Sequence, residues 1–184
     1  MANDGLFVGT LVGPAVYSLN VPVPGSVAAL AHDLGTRLSG ADVRQRGEHT
    51  LVCKRLGSGD GPTYHELEAR ARDVLRGQPP FEVRVAGLDV FTDVPNGEGS
   101  VVYLCVESPG LVALHERLCA VFDPVAEIEG DDYVPHVTVA RGGSVERATA
   151  LRDTPVDPVE WTVERLEFWD AKHSQSISSV SLPR

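Results

Sequence analysis

The stretch from Asp131 to Gly143, DDYVPHVTVARGG, sets a histidine and a threonine two residues apart among valines. Val134, Val137 and Val139 favour extended backbone, and alternate side chains of a strand share a face, so His136 and Thr138 point the same way. An imidazole beside a hydroxyl suits a phosphate-like anion: the hydroxyl donates to a nonbridging oxygen while the imidazole moves a proton. Acid-base chemistry on a phosphodiester needs a second proton carrier on the opposite side. The candidate is His49 in EHTLVCKRL, directly before Thr50.

A repeat places the two histidines in related settings. YSLNVPVPGSVAALAHDL and VYLCVESPGLVALHERL match at an offset that pairs Leu19, Val21, Pro24, Gly25, Val27 and Ala28 with Leu104, Val106, Pro109, Gly110, Val112 and Ala113. Each copy predicts a strand, a Pro-Gly turn and a helix. Val27, Leu30, Ala31, Leu34 and Leu38 share one helical face, as do Leu111, Leu114, Leu118 and Phe122. Ser26 or a neighbour is expected to cap the first helix, and Ser108 followed by Pro109 the second. A valine-rich strand with a histidine follows each helix, so two strand-helix-strand units set His49 and His136 across a cleft. Thr63 and Glu66 predict a capping box for a further helix with Tyr64, Leu67, Ala71, Val74 and Leu75 inward. FEVRVAGLDVFT reads as a strand, VPNGEGS as the turn after it, SVERATALRD as a helix, and VEWTVERLEFWDA with ISSVSLP as a closing hairpin.

The chain of 184 residues carries a net charge of -10, which disfavours non-specific binding to long nucleic acid. Only Lys54 and Lys172 are lysines, and from Val43 to Gly57 Arg44, Arg46, Lys54 and Arg55 face a single Glu48. A small anion is attracted to such a stretch, although ordinary solvated surface charge reads the same way. Cys53, Cys105 and Cys119 are far apart without CxxC spacing, so free thiols are expected rather than disulfides or zinc. The N-terminus lacks a basic leader region, and no apolar run approaches the roughly 20 residues of a spanning helix, so a cytoplasmic protein without membrane partners is expected.

With YVPHVTVAR and the repeated strand-helix-strand pattern, the chain resembles the 2H phosphoesterase superfamily, in particular the 2'-5' RNA ligase-like proteins that act as RNA 2',3'-cyclic phosphodiesterases. The resemblance in element order runs from Tyr17 to Pro183. It implies an α+β, bilobal duplicated fold with two antiparallel sheets and outer helices around a central cleft. Residues 1–184 then form a single bilobal domain, with 1–15 an N-terminal extension of unassigned role. It also implies His136, Thr50 and Thr138 as catalytic residues, with His49 as the candidate partner histidine, and Arg141 as a substrate-binding residue, to which Tyr133 and the basic Arg44, Arg46 and Lys54 are added as candidates. Neither metal nor other cofactor is implied. The expected partners are RNA ends or nucleotide 2',3'-cyclic phosphates bound by a monomer. Water opens the ring to a 2'-phosphate, one histidine as base and the other as acid, with reverse 2'-5' ligation accessible.

The first motif departs from the family pattern. The family places histidine two residues before the threonine; here Glu48 stands there and His49 is adjacent to Thr50. If Thr50, Val52 and Lys54 line the cleft, Leu51 and Cys53 meet the helices and His49 goes with them. Either a bulge at Gly47–His49 turns His49 back into the cleft, which is the reading preferred on sequence, or the cleft holds Glu48 and one histidine. The second case implies altered catalysis or a nucleotide-binding protein without turnover. Surface or boundary places are expected for His32, His65 and His115, and a hairpin turn for His173. Tyr133, Phe168 and Trp169 fit either core packing or base stacking.

Overall fold

The computed structural model describes residues 17–57, 62–92 and 99–183. The extension at 1–15 and most of the VPNGEGS turn lie outside these residues. The order of elements is β1 (Tyr17–Val21), α1 (Gly25–Gly35), β2 (Asp42–Val43), β3 (Leu51–Gly57), α2 (Tyr64–Val74), β4 (Phe81–Phe91), β5 (Val101–Glu107), α3 (Pro109–Cys119), a 3-10 turn (Gly130–Asp132), β6 (His136–Arg141), α4 (Val145–Arg152), β7 (Val159–Val163), β8 (Arg165–Asp170) and β9 (Gln175–Ser181). They make two antiparallel sheets, β3-β1-β8-β9 and β2-β6-β5-β4-β7. This is the α+β arrangement of two sheets with helices outside.

α1 leaves β1 of the four-stranded sheet and packs on β6 of the five-stranded one, whereas α3 leaves β5 and packs both on β3 of the four-stranded sheet and on β4, the neighbour of β5 in its own sheet. Gly35 permits the first contact, since a Cβ there would lie 2.5 Å from Val43 Cγ1. The apolar faces read from sequence are the ones that bury: Val27, Ala31, Leu34 and Leu38 on one side, Leu111, Leu114, Leu118 and Phe122 on the other. Burying such side chains at about 2 kcal/mol each holds the helices on the sheets.

Local signals behaved unequally. Thr63 and Glu66 form the capping box of α2, and Ser108 Oγ accepts from the Leu111 N–H with Pro109 in the first turn. α1 has Pro24 at its N-cap and no side-chain cap, so Ser26 does not serve. The C-terminal hairpin is β8–β9; β7 belongs to the other sheet, paired with β4. The chain changes sheet at Glu164, between two strands that alternate so similarly that periodicity alone merges them. Cys53, Cys105 and Cys119 are free thiols. Among the described residues no helix is long and apolar enough to cross a membrane.

Candidate functional site

A cleft of about 830 Å³ opens between the sheets. Ser18 and Asn20 of β1, Thr50, Val52 and Arg55 of the β3 segment, and Trp169 of β8 line it from the four-stranded sheet. Phe91, Val101, His136, Thr138 and Arg141 line it from the five-stranded sheet, and Arg44 and Glu48 from the segment that crosses between them. Residues 125–128 and 132–134 form a further wall.

His136 stands half-buried at the start of β6. Its Nδ1 lies 2.7 Å from the Val134 carbonyl, so that nitrogen carries the proton and Nε2 is left with a lone pair. Burial holds its pKa below 6.5; the bond to Val134 works against this, and the charges of Arg55 and Arg141 add to it. The edges of Phe91 and Tyr103 close around the ring, at 5.4 and 5.3 Å between centroids. Burial together with Arg44 and Arg55 also depresses Arg141, so these guanidiniums repel one another in the ligand-free cleft. An anion relieves that repulsion.

The cleft faces of β3 and β6 are each re-aimed by a bulge. Opposite β1, Leu19 pairs with Lys54 and Asn20 with Val52, which leaves Cys53 as an extra residue. Opposite β5, Val102 pairs with Ala140 and Tyr103 with Thr138, which leaves Val139 extra. After an extra residue the alternation changes phase. Cys53 and Lys54 are therefore both buried, as are Val139 and Ala140, and the next residues, Arg55 and Arg141, reach the cleft.

Lys54 thus lies on the opposite side from the one expected. It is fully buried, with Nζ 2.5 Å from Glu129 Oε2, and does not line the cleft. Arg55 takes the place assigned to it. The missed signal is in the sequence: Leu51 and Cys53 are two apart, but the next apolar residue, Leu56, is three further on. Arg46 is also outside the lining, exposed and 3.8 Å from Asp33. Tyr133 lines the cleft, but its ring stacks on His115 at 3.7 Å and its hydroxyl donates to the Val52 carbonyl at 2.7 Å.

His49 differs from expectation most. Residues 44–50 form no strand; they cross from β2 in one sheet to β3 in the other, through a turn in which the Glu48 N–H donates to the Gln45 carbonyl. The irregular backbone expected near Gly47 is present, yet it does not turn the imidazole. His49 is 8 % exposed, buried as Leu51 and Cys53 are, and is absent from the cleft lining, whereas Glu48 is part of it. Its Nδ1 donates to the Thr138 carbonyl at 3.1 Å, and its Nε2 is buried without a partner. Burial is the main reason its pKa lies below 6.5.

Two further polar groups were not foreseen. Asn20 is 3 % exposed. Ser18 Oγ donates to its Oδ1 at 2.9 Å while its Nδ2 has no partner. His115, expected at a boundary, is 1 % exposed. Its Nδ1 donates to the Cys53 carbonyl at 2.7 Å and its Nε2 accepts from the Gly130 N–H at 3.0 Å. Phe168 is core, His65 and His173 are exposed and His32 is partly so. Among the described residues no group of three or more His, Cys, Asp or Glu side chains is arranged to hold a metal.

The family model for the 2'-5' RNA ligase superfamily matches residues 55–175, well over half of the 184. The chain belongs to that superfamily. The match takes in the whole of β6 but begins at Arg55, after Glu48, His49 and Thr50. A curated relative, the RNA 2',3'-cyclic phosphodiesterase of Methanothermobacter thermautotrophicus, is 40 % identical over 93 residues. That stretch is 50 % of this chain and 49 % of the relative, so the match spans about half the length of each. Among solved structures, a Thermus thermophilus protein superposes with a TM-score of 0.63 at 21 % identity, over 90 % of this chain and 97 % of that one. E. coli LigT complexed with NADP+ gives 0.63 at 13 % identity, over 91 % and 97 %. The same protein with 3'-AMP gives 0.57 at 14 %, over 91 % and 98 %. These likenesses establish the fold.

Proposed function

We propose that the cleft binds an RNA end or nucleotide carrying a 2',3'-cyclic phosphate and opens the ring to a 2'-phosphate by metal-independent acid-base catalysis. The observation that carries this reading is His136, with Nδ1 committed to the Val134 carbonyl and Nε2 left for a ligand, on one strand face with Thr138 and Arg141. Arg44 and Arg55 add positive charge around the same point. A cyclic phosphate is a monoanion whose charge grows on the equatorial oxygens as water adds, and fixed guanidinium and hydroxyl donors favour that state.

His49, buried away from the cleft, gives no support to a pair of facing histidines. Glu48 takes its place as partner in this proposal. Water attacks phosphorus, one of the Glu48–His136 pair accepts the water proton, and the other delivers a proton to the departing 3'-oxygen. The pair needs one proton between its two members. That state prevails on the acid side of neutrality, because burial holds His136 below 6.5. Ligation to a 2'-5' bond is the same path reversed. The nucleotide complexes of LigT, with NADP+ and with 3'-AMP, support a nucleotide as ligand. Lining from both sheets favours one functional unit across both lobes. Free cysteines suit a reducing cytoplasm, and the proposed unit is a monomer.

The displacement of His49 favours a second reading, a protein that binds nucleotide or RNA ends without turnover. Incubating the purified protein with a 2',3'-cyclic nucleotide and a chelator separates the two. Formation of the 2'-phosphate in chelator upholds the enzyme. Saturable binding with unchanged nucleotide selects the binding protein, and turnover only on metal addition removes the mechanism.

A further inference from the structure

β3 lies at the edge of its sheet, so one side of its backbone has no strand partner. Unpaired groups at an edge call for water or a substitute partner. Here side chains supply them from Val52 to Arg55. The Val52 carbonyl accepts from the Tyr133 hydroxyl and the Cys53 carbonyl from His115 Nδ1, both at 2.7 Å. The Arg55 N–H donates to Glu129 Oε1 at 2.8 Å, and the Arg55 carbonyl accepts from Lys54 Nζ at 2.7 Å. Glu129 Oε1 also meets the Arg55 guanidinium at 3.3 Å, so main chain and side chain of this arginine share one carboxylate oxygen. These residues surround the bulge at Cys53, the feature that decides whether position 55 faces cleft or core.

We infer that Tyr133, His115, Lys54 and Glu129 are positioning residues that fix the β3 bulge and thereby aim Arg55 at the ligand's phosphate. This rests on the reading above, in which Arg55 meets that phosphate. Tyr133 then serves the site through the Val52 carbonyl and not as a platform for a base. A structural cluster that merely stabilised the lobe would affect binding whether or not Arg55 were present. A positioning cluster loses its effect once the arginine is gone.

The test is a double-mutant cycle on binding of inorganic phosphate to the full chain by calorimetry, with circular dichroism confirming the fold. The expected result is phosphate binding weakened about tenfold by Arg55→Ala and several-fold by Tyr133→Phe, a change that keeps the ring on His115. In the Arg55→Ala background, Tyr133→Phe then changes nothing further. Should Tyr133→Phe fail to fold, His115→Gln enters the same cycle. Equal weakening by the second substitution in both backgrounds, or none in either, overturns the positioning role while leaving Arg55 as a ligand contact. Unchanged binding in Arg55→Ala, or no phosphate binding by the unaltered protein, overturns the phosphate site itself.

Discussion

The β3 and β6 halves of the cleft share a backbone device and differ in what it carries. Counting from the extra residue, Thr50, Val52 and Arg55 on one side have the spacing of His136, Thr138 and Arg141 on the other, with Cys53 and Val139 as the bulges. In that register the arginines correspond, but threonine stands where histidine does and valine where threonine does. The supports differ too. β6 is an interior strand, and β2 pairs with Ala140 and Arg141 directly after its bulge. β3 is an edge strand whose bulge is held by buried polar side chains. A duplicated fold can thus keep the geometry of both cleft-facing strands while one half alone carries an imidazole on the cleft.

The sharpest way to break this comparison is to exchange the histidines' fates. His136→Ala is expected to cut turnover of a 2',3'-cyclic nucleotide by about 100- to 10,000-fold with little change in melting temperature, since it removes a proton carrier from a half-buried position. Near-normal turnover would remove the β6 half from the chemistry. Next in size is Lys54→Met. It strands the buried Glu129 carboxylate without its ammonium partner, at a cost of about 3–5 kcal/mol in denaturant unfolding. A neutral result would show that the β3 bulge is held by something else.

Glu48 sharpens the comparison through pH. With Glu48 and His136 as the pair, kcat/KM is expected to peak on the acid side of neutrality and to fall as pH rises past the depressed value of His136. Glu48→Gln should lower kcat by about tenfold or more. A peak at or above pH 7, unchanged in Glu48→Gln, would assign the second proton carrier elsewhere.

His49→Ala is expected to act on stability more than on chemistry. It leaves the Thr138 carbonyl without its donor, a cost of about 1–3 kcal/mol, with turnover changed less than about fivefold. Loss of turnover from a stable His49→Ala protein would make the halves equivalent after all. His49 and His115 also set a pH dependence of stability. Burial puts both folded values below the unfolded value of about 6.5, so the unfolded chain binds more protons in between. Their contribution is full above that pH and is lost as pH falls through it, which unfolding curves at pH 7.5 and 5.5 would register. The smallest effect is expected from Arg46→Ala, which should alter neither phosphate affinity nor stability.

Much of the architecture was legible because it rests on local chemistry. The apolar faces of α1 and α3, the Thr63–Glu66 box and the Ser108 cap follow from spacing and hydrogen-bonding capacity alone, and the His136–Thr138 strand follows from alternation. The β7–β8 sheet change was not legible, because two strands of similar alternation separated by one residue look continuous. Nor was His115, whose place depends on a carbonyl 62 residues away in sequence.

The sequence by itself determined the repeat, the family and the imidazole-hydroxyl pair of β6, since each is written in residue types at fixed short spacings. The tertiary structure alone decided which members of RGEHTLVCKRLG face the cleft. Strand parity is a local rule, and it holds only until a bulge changes its phase. The bulge at Cys53 is held by partners from α3 and the loop before β6, distant in sequence. The change of phase puts Lys54 under the sheet and Arg55 on the cleft, while the crossing between sheets leaves Glu48, rather than His49, on the cleft lining.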